Sequence, residues 1–111
     1  MPAFAKEAVR IHRQGHLSDR LLARATGAAP STVRSWLAKR SEPTGIRAER
    51  VAELAAIVDG LERIIRRDYI PVWLSKPVQA LDHQKPIDLI ARGKYRAVAT
   101  LIASLEESGA A

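Results

Sequence analysis

Apolar residues in this chain recur at steps of three and four and almost never alternate with polar ones. A half-buried strand needs a period of two, whereas one face of a helix needs a period of 3.6. Valine, isoleucine and threonine nowhere alternate long enough for a strand. The spacing therefore predicts an all-α fold. With 111 residues the chain has room for one compact domain, or for a small domain with an appended module, and a large α/β enzyme is excluded. Only 5% of residues are aromatic, so leucine, isoleucine, valine and alanine must supply the core.

Glycines and prolines cut the pattern into helices. Phe4, Ala5, Ala8, Val9 and Ile11 form a first stripe, which Gly15 ends. Ser18 can cap a second helix with Leu21, Leu22 and Ala25 inward, and Gly27 stops it. Pro30 suits a first helical position, where its missing N–H would be unpaired anyway. Val33, Trp36 and Leu37 give the third helix one apolar face, and residues 41–45 read as a loop. The longest helix is expected from Ile46 to about Arg67. Its seam of Val51, Leu54, Val58, Leu61 and Ile65 is heptad-like, and Ile57 and Ile64 widen it to a second face. Two readings stand: the two faces pack on the helices before and after, or the seam pairs with a second copy. Beyond Tyr69 the prolines Pro71, Pro77 and Pro86 and the glycine Gly93 mark short pieces. These include an apolar knot of Val72, Trp73 and Leu74, one turn near Leu81, a helix at 87–91 and a last helix from Lys94 to about Glu107.

Charge divides the chain in two. It carries 18 Lys and Arg against 12 Asp and Glu, with a pI near 10.3. All of the +6 excess lies before Asp68, and the remainder is neutral. We therefore expect two jobs, one on residues 1–67 and one on 68–111, with one shared core. A basic first part favours a polyanion such as nucleic acid. Cysteine is absent, which excludes disulfides, thiolate zinc sites and a cysteine nucleophile, and fits a reducing cytoplasm. No apolar run is long enough to span a bilayer, and charges at Lys6, Glu7 and Arg10 argue against a secretory leader.

Leu21 to Leu37 reads LLARATGAAPSTVRSWL. Ala23 stands four residues before Gly27 and Val33 six after it. A helix-turn-helix has this spacing for steric reasons: a small residue under the crossing helix, a glycine for positive φ in the turn, and an apolar anchor on the second helix. From about Leu17 to Pro43 the chain resembles the Xre family of helix-turn-helix regulators. The resemblance implies that the second helix enters the major groove of operator DNA. Ser31, Thr32, Arg34 and Ser35 would then be its exposed reading positions, with Arg34 suited to a guanine and the hydroxyls to phosphate or base edges. Lys39 and Arg40 would neutralise phosphates. Pro30 departs from the pattern by removing one helix-start N–H.

From Val72 to Leu105 the chain reads VWLSKPVQALDHQKPIDLIARGKYRAVATLIASL. The Trp73-Leu74 pair, Pro77, Leu81, Pro86 followed by Asp88-Leu89, Gly93 and a closing helix resemble the toxin-binding domain of Xre/MbcA/ParS antitoxins. The resemblance implies that the chain blocks a RES-domain toxin that degrades NAD, and that it represses its own operon. Trp73, Leu74, Pro86, Asp88, Leu89, Gly93 and Tyr95 would contact the toxin or shape the contact. The acidic end, Glu106-Glu107 with residues 108–111, suits insertion into a cationic NAD pocket. A homodimer or a larger toxin–antitoxin assembly is expected. The rival from another class is a stand-alone Xre regulator whose C-terminal part only dimerises.

No cofactor, metal or chemistry is expected of this chain. His12 and His16 are four apart, but Gly15 intervenes and no third ligand is near. His83 beside Asp82 lacks a nucleophile. The six glycines are scattered, so no phosphate loop is present.

Overall fold

A computed structural model describes residues 4–109 of the chain. Seven α-helices follow one another: α1 (Phe4–Gln14), α2 (Asp19–Thr26), α3 (Pro30–Leu37), α4 (Gly45–Glu62), α5 (Ile70–Ser75), α6 (Pro86–Ala91) and α7 (Tyr95–Ser108). Single 3-10 turns lie at Arg67–Tyr69 and Gln79–Leu81. Among the described residues there is no strand, only an isolated bridge between Val78 and Gln84. The fold is all-α, as the spacing predicts.

Local chemistry sets most helix ends. The Ser18 side chain accepts the Leu21 N–H and starts α2. Gly27 ends it in the left-handed region at φ 77°, donating its N–H to the Ala23 carbonyl. Pro30, Pro71 and Pro86 each sit at the first or second position of a helix. The N-terminus of α1 is closed from a distance, because the Glu42 carboxylate accepts the Ala5 N–H at 3.0 Å.

One helix boundary and the role of one glycine differ from the sequence reading. α1 does stop at Gly15, but His16 and not Gly15 takes the left-handed conformation. Gly15 is needed for space: a Cβ there would lie 2.8 Å from the Ile11 carbonyl oxygen and 3.0 Å from Cγ1 of Val58 on α4. The long helix also ends five residues early, at Glu62. The Ile64 and Ile65 N–H groups both return to the Leu61 carbonyl, so a tightened turn replaces the last helical turn. Ile64 and Ile65 still pack against the core, which is why their spacing reads as helical.

α4 is the central element. It packs on α1 and α2 on one side and on α7 and α6 on the other. Val51, Leu54, Val58 and Leu61 are completely buried by the chain's own helices. These four seam residues are spent within the protomer, where the two faces of α4 serve the helices before and after it. One apolar cluster runs from Ala8 to Ile102 through both parts of the chain.

Candidate functional site

The α2–α3 pair has the geometry its spacing requires. Ala23 is buried under the crossing, the three residues 27–29 make the turn, and Val33 and Trp36 anchor α3 in the core. Thr26 closes the turn from inside, donating to the Leu22 carbonyl at 2.7 Å and accepting the Ala28 N–H at 3.3 Å. On the outer face Ser31 and Arg34 are exposed, and Thr32 and Ser35 are half-buried. Arg34 faces back to Asp19 at 3.5 Å, and the Ser35 and Ser41 hydroxyls bond at 2.8 Å. Lys39 and Arg40 are exposed beyond the helix end, with Lys39 in the left-handed region at φ 58°. Four of the six positions read from the sequence thus lie on the outer side of α3, and Lys39 and Arg40 lie beyond its end. Arg34 must leave Asp19 before it can reach a base.

The C-terminal residues divide by burial. Trp73, Leu74, Pro86 and Leu89 lie in the core, with Trp73 only 8% exposed. They offer almost no surface to a partner and serve as core in the free chain. Asp88 is half-buried at the start of α6 and holds Arg24 of α2 at 2.6 and 2.8 Å. It ties the two parts of the chain together. Because Arg24 is largely exposed, the pair is screened. Asp88→Asn is expected to cost no more than about 1 kcal/mol in urea unfolding, and a larger loss would show that the pair carries the junction.

Gly93 ends α6 at φ 80°, and a Cβ there would meet the Arg50 guanidinium at 2.6 Å. Arg50 is itself held to Glu53, both side chains 13% exposed, so it cannot step aside freely. Tyr95 is half-buried at the start of α7. Glu106 is engaged by Arg63 at 2.8 Å, which raises the arginine's pKa through that hydrogen bond, while Glu107 is exposed. The acidic end is therefore helical through Ser108, and residues 110 and 111 of the expected tail lie outside the described residues.

An exposed apolar surface was not singled out by the sequence motifs. Beyond the end of α4 the tightened turn leaves Ile64 and Ile65 half-buried against the core. Tyr69 (37% exposed), in the 3-10 turn, and Val72 (48% exposed), on α5, are open to solvent. Ile64, Ile65 and Tyr69 line a cleft of about 630 Å³ with Glu62, Arg63, Arg66 and Asp68. Oε1 of Glu62 is buried there without a hydrogen-bond partner among the described residues. Lys76 lies over the Tyr69 ring and donates to its hydroxyl. The signal was the Val72-Trp73-Leu74 knot: Trp73 and Leu74 turn inward, which leaves Val72 out.

No group of three or more His, Cys, Asp or Glu side chains is placed to hold a metal among the described residues. No helix there is long and apolar enough to cross a membrane. Arg10 is locked to Glu7 (2.7 Å) and Asp59 (2.8 Å), bonds that raise its pKa above the ordinary value and keep it charged.

The chain is similar to curated proteins named mycobacterial cidal antitoxin MbcA. Those of Mycobacterium tuberculosis and Mycobacterium bovis are each 36% identical over 80 residues, covering 72% of this chain and 71% of theirs. Its fold is similar to a chain in the crystal structure of the M. tuberculosis MbcT–MbcA toxin–antitoxin complex. That likeness has a TM-score of 0.86 and 29% identity, and it covers 97% of each chain. No family model matches the sequence.

Proposed function

Because the chain belongs to the MbcA antitoxin family, we propose that it binds a cognate toxin of the RES type and keeps it from degrading NAD. It acts by occupation and performs no chemistry of its own. The observation that carries this reading is the shared fold, over nearly the whole chain, with a protein from a toxin–antitoxin complex.

The toxin takes the neutral part, residues 68–111, together with the end of α4. The exposed Tyr69 and Val72, with the half-buried Ile64 and Ile65 near Tyr69, supply area that the buried Trp73 and Leu74 do not. Residues 1–67 take operator DNA through the exposed face of α3, so the same chain represses its own operon. The cytoplasm is where both ligands would meet it.

Co-expression with the neighbouring toxin-like gene tests the first half. A complex that survives purification, with growth restored, is the expected result. Failure to form a complex would overturn the antitoxin role and favour a stand-alone regulator that dimerises through its C-terminal part.

A further inference from the structure

Three unpaired cations of the first part meet in a groove beside the reading helix α3. Arg10, Arg24, Arg34 and Arg50 are all ion-paired. The side chains of Lys6, Arg13 and Lys39, like those of Arg20, Arg40 and Arg47, have no ion-pair or hydrogen-bond partner among the described residues. Lys6, Arg13 and Lys39 line one groove of about 580 Å³ with Val9 and Gln14, where α1 lies beside the end of α3. Lys6, Val9, Arg10 and Arg13 follow at helical steps of three, one and three, so they share a face of α1.

The charge of that groove is positive on balance. Glu7, Arg10 and Asp59 form a closed triad with one net negative charge, and three free cations outweigh it. Lys39 is left-handed because it closes the C-terminus of α3: its N–H donates to the Trp36 carbonyl and the Arg40 N–H to that of Ser35. Its side chain lines the groove, next to the exposed Arg40.

We infer that Lys6, Arg13 and Lys39 form a phosphate track for duplex DNA, on α1 and beyond the end of α3. This rests on the reading of α3 as the DNA-facing helix and extends its footprint. The residue types fit the task. Lysine and arginine on flexible stems neutralise phosphates without reading bases. The track therefore supplies affinity and register, and any sequence preference comes from α3.

The test is duplex binding at several salt concentrations. It uses the full chain, with one duplex from its own upstream region and one unrelated duplex. The variant is Lys6→Ala with Arg13→Ala and Lys39→Gly, since glycine keeps the left-handed turn. Thermal unfolding and toxin co-purification report that the fold is retained. The expected result is weaker binding by the same factor on both duplexes. The slope of log affinity against log salt should be shallower by about 2.7, at about 0.9 per phosphate contact. An unchanged slope, a loss confined to one duplex, or a loss of toxin capture in the folded variant would overturn the track. If the wild-type chain binds neither duplex at the lowest salt, the reading of α3 itself fails. That outcome is distinct from wild-type binding that the triple substitution leaves intact.

Discussion

Trp36→Ala is expected to destabilise the chain by about 3–5 kcal/mol, the usual cost of removing a fully buried large side chain. Trp36 is 2% exposed and lies in the common apolar cluster. α3 has little else to hold it. It is eight residues long, and its N-cap, Ala29, makes no side-chain hydrogen bond. A helix that short is not stable alone, so Val33 and Trp36 keep it ordered against α1 and α2. Natural domains have about 5–15 kcal/mol in all, so the loss is a large share. The melting temperature should fall by roughly 15 °C, and the urea midpoint should fall with little change in slope. A loss under about 1 kcal/mol would contradict the packing described. The contrast with Asp88→Asn is the informative part: a buried ring dominates over an exposed ion pair.

The features legible in the sequence are those in which one residue meets one local backbone need. Ser18 caps, Gly27 turns left-handed, and Pro30 and Pro86 enter helices. Each depends on its immediate neighbours, so the chain spells it out. The end of α4 does not, because a step of four from Leu61 to Ile65 is kept by a helix and by a tightened turn alike. The role of Gly15 is only half legible: a Cβ there would meet the Ile11 carbonyl oxygen one turn back at 2.8 Å, but also Cγ1 of Val58, far along the chain, at 3.0 Å. The site shows the same division. The sequence marks Arg34 as an exposed cation but cannot show Asp19 across the turn. It marks Trp73, Leu74 and Leu89 as apolar, a property that core and interface residues share. Only the packing tells them apart, and it places all three inside.

That division yields the sharpest test of the toxin surface. Val72→Asp is expected to weaken toxin capture by about 30-fold, the 2 kcal/mol typical of an interface hot spot, while the melting temperature moves by only a few degrees. Val72 is nearly half exposed in the free chain, so a carboxylate there stays in water until the toxin covers it. On binding it must be desolvated against apolar surface, and that cost falls on the complex alone. Trp73→Ala, one residue along, should behave in the opposite way. The indole is buried against the core, so its loss destabilises the free chain by about 3–5 kcal/mol. The fraction that remains folded should still bind. Titration of the purified toxin with each variant, corrected for the folded fraction, separates the two. If Val72→Asp binds as the wild type does, the apolar surface is not the toxin's seat. If folded Trp73→Ala fails to bind, the tryptophan touches the toxin directly, and the chain must open locally to present it.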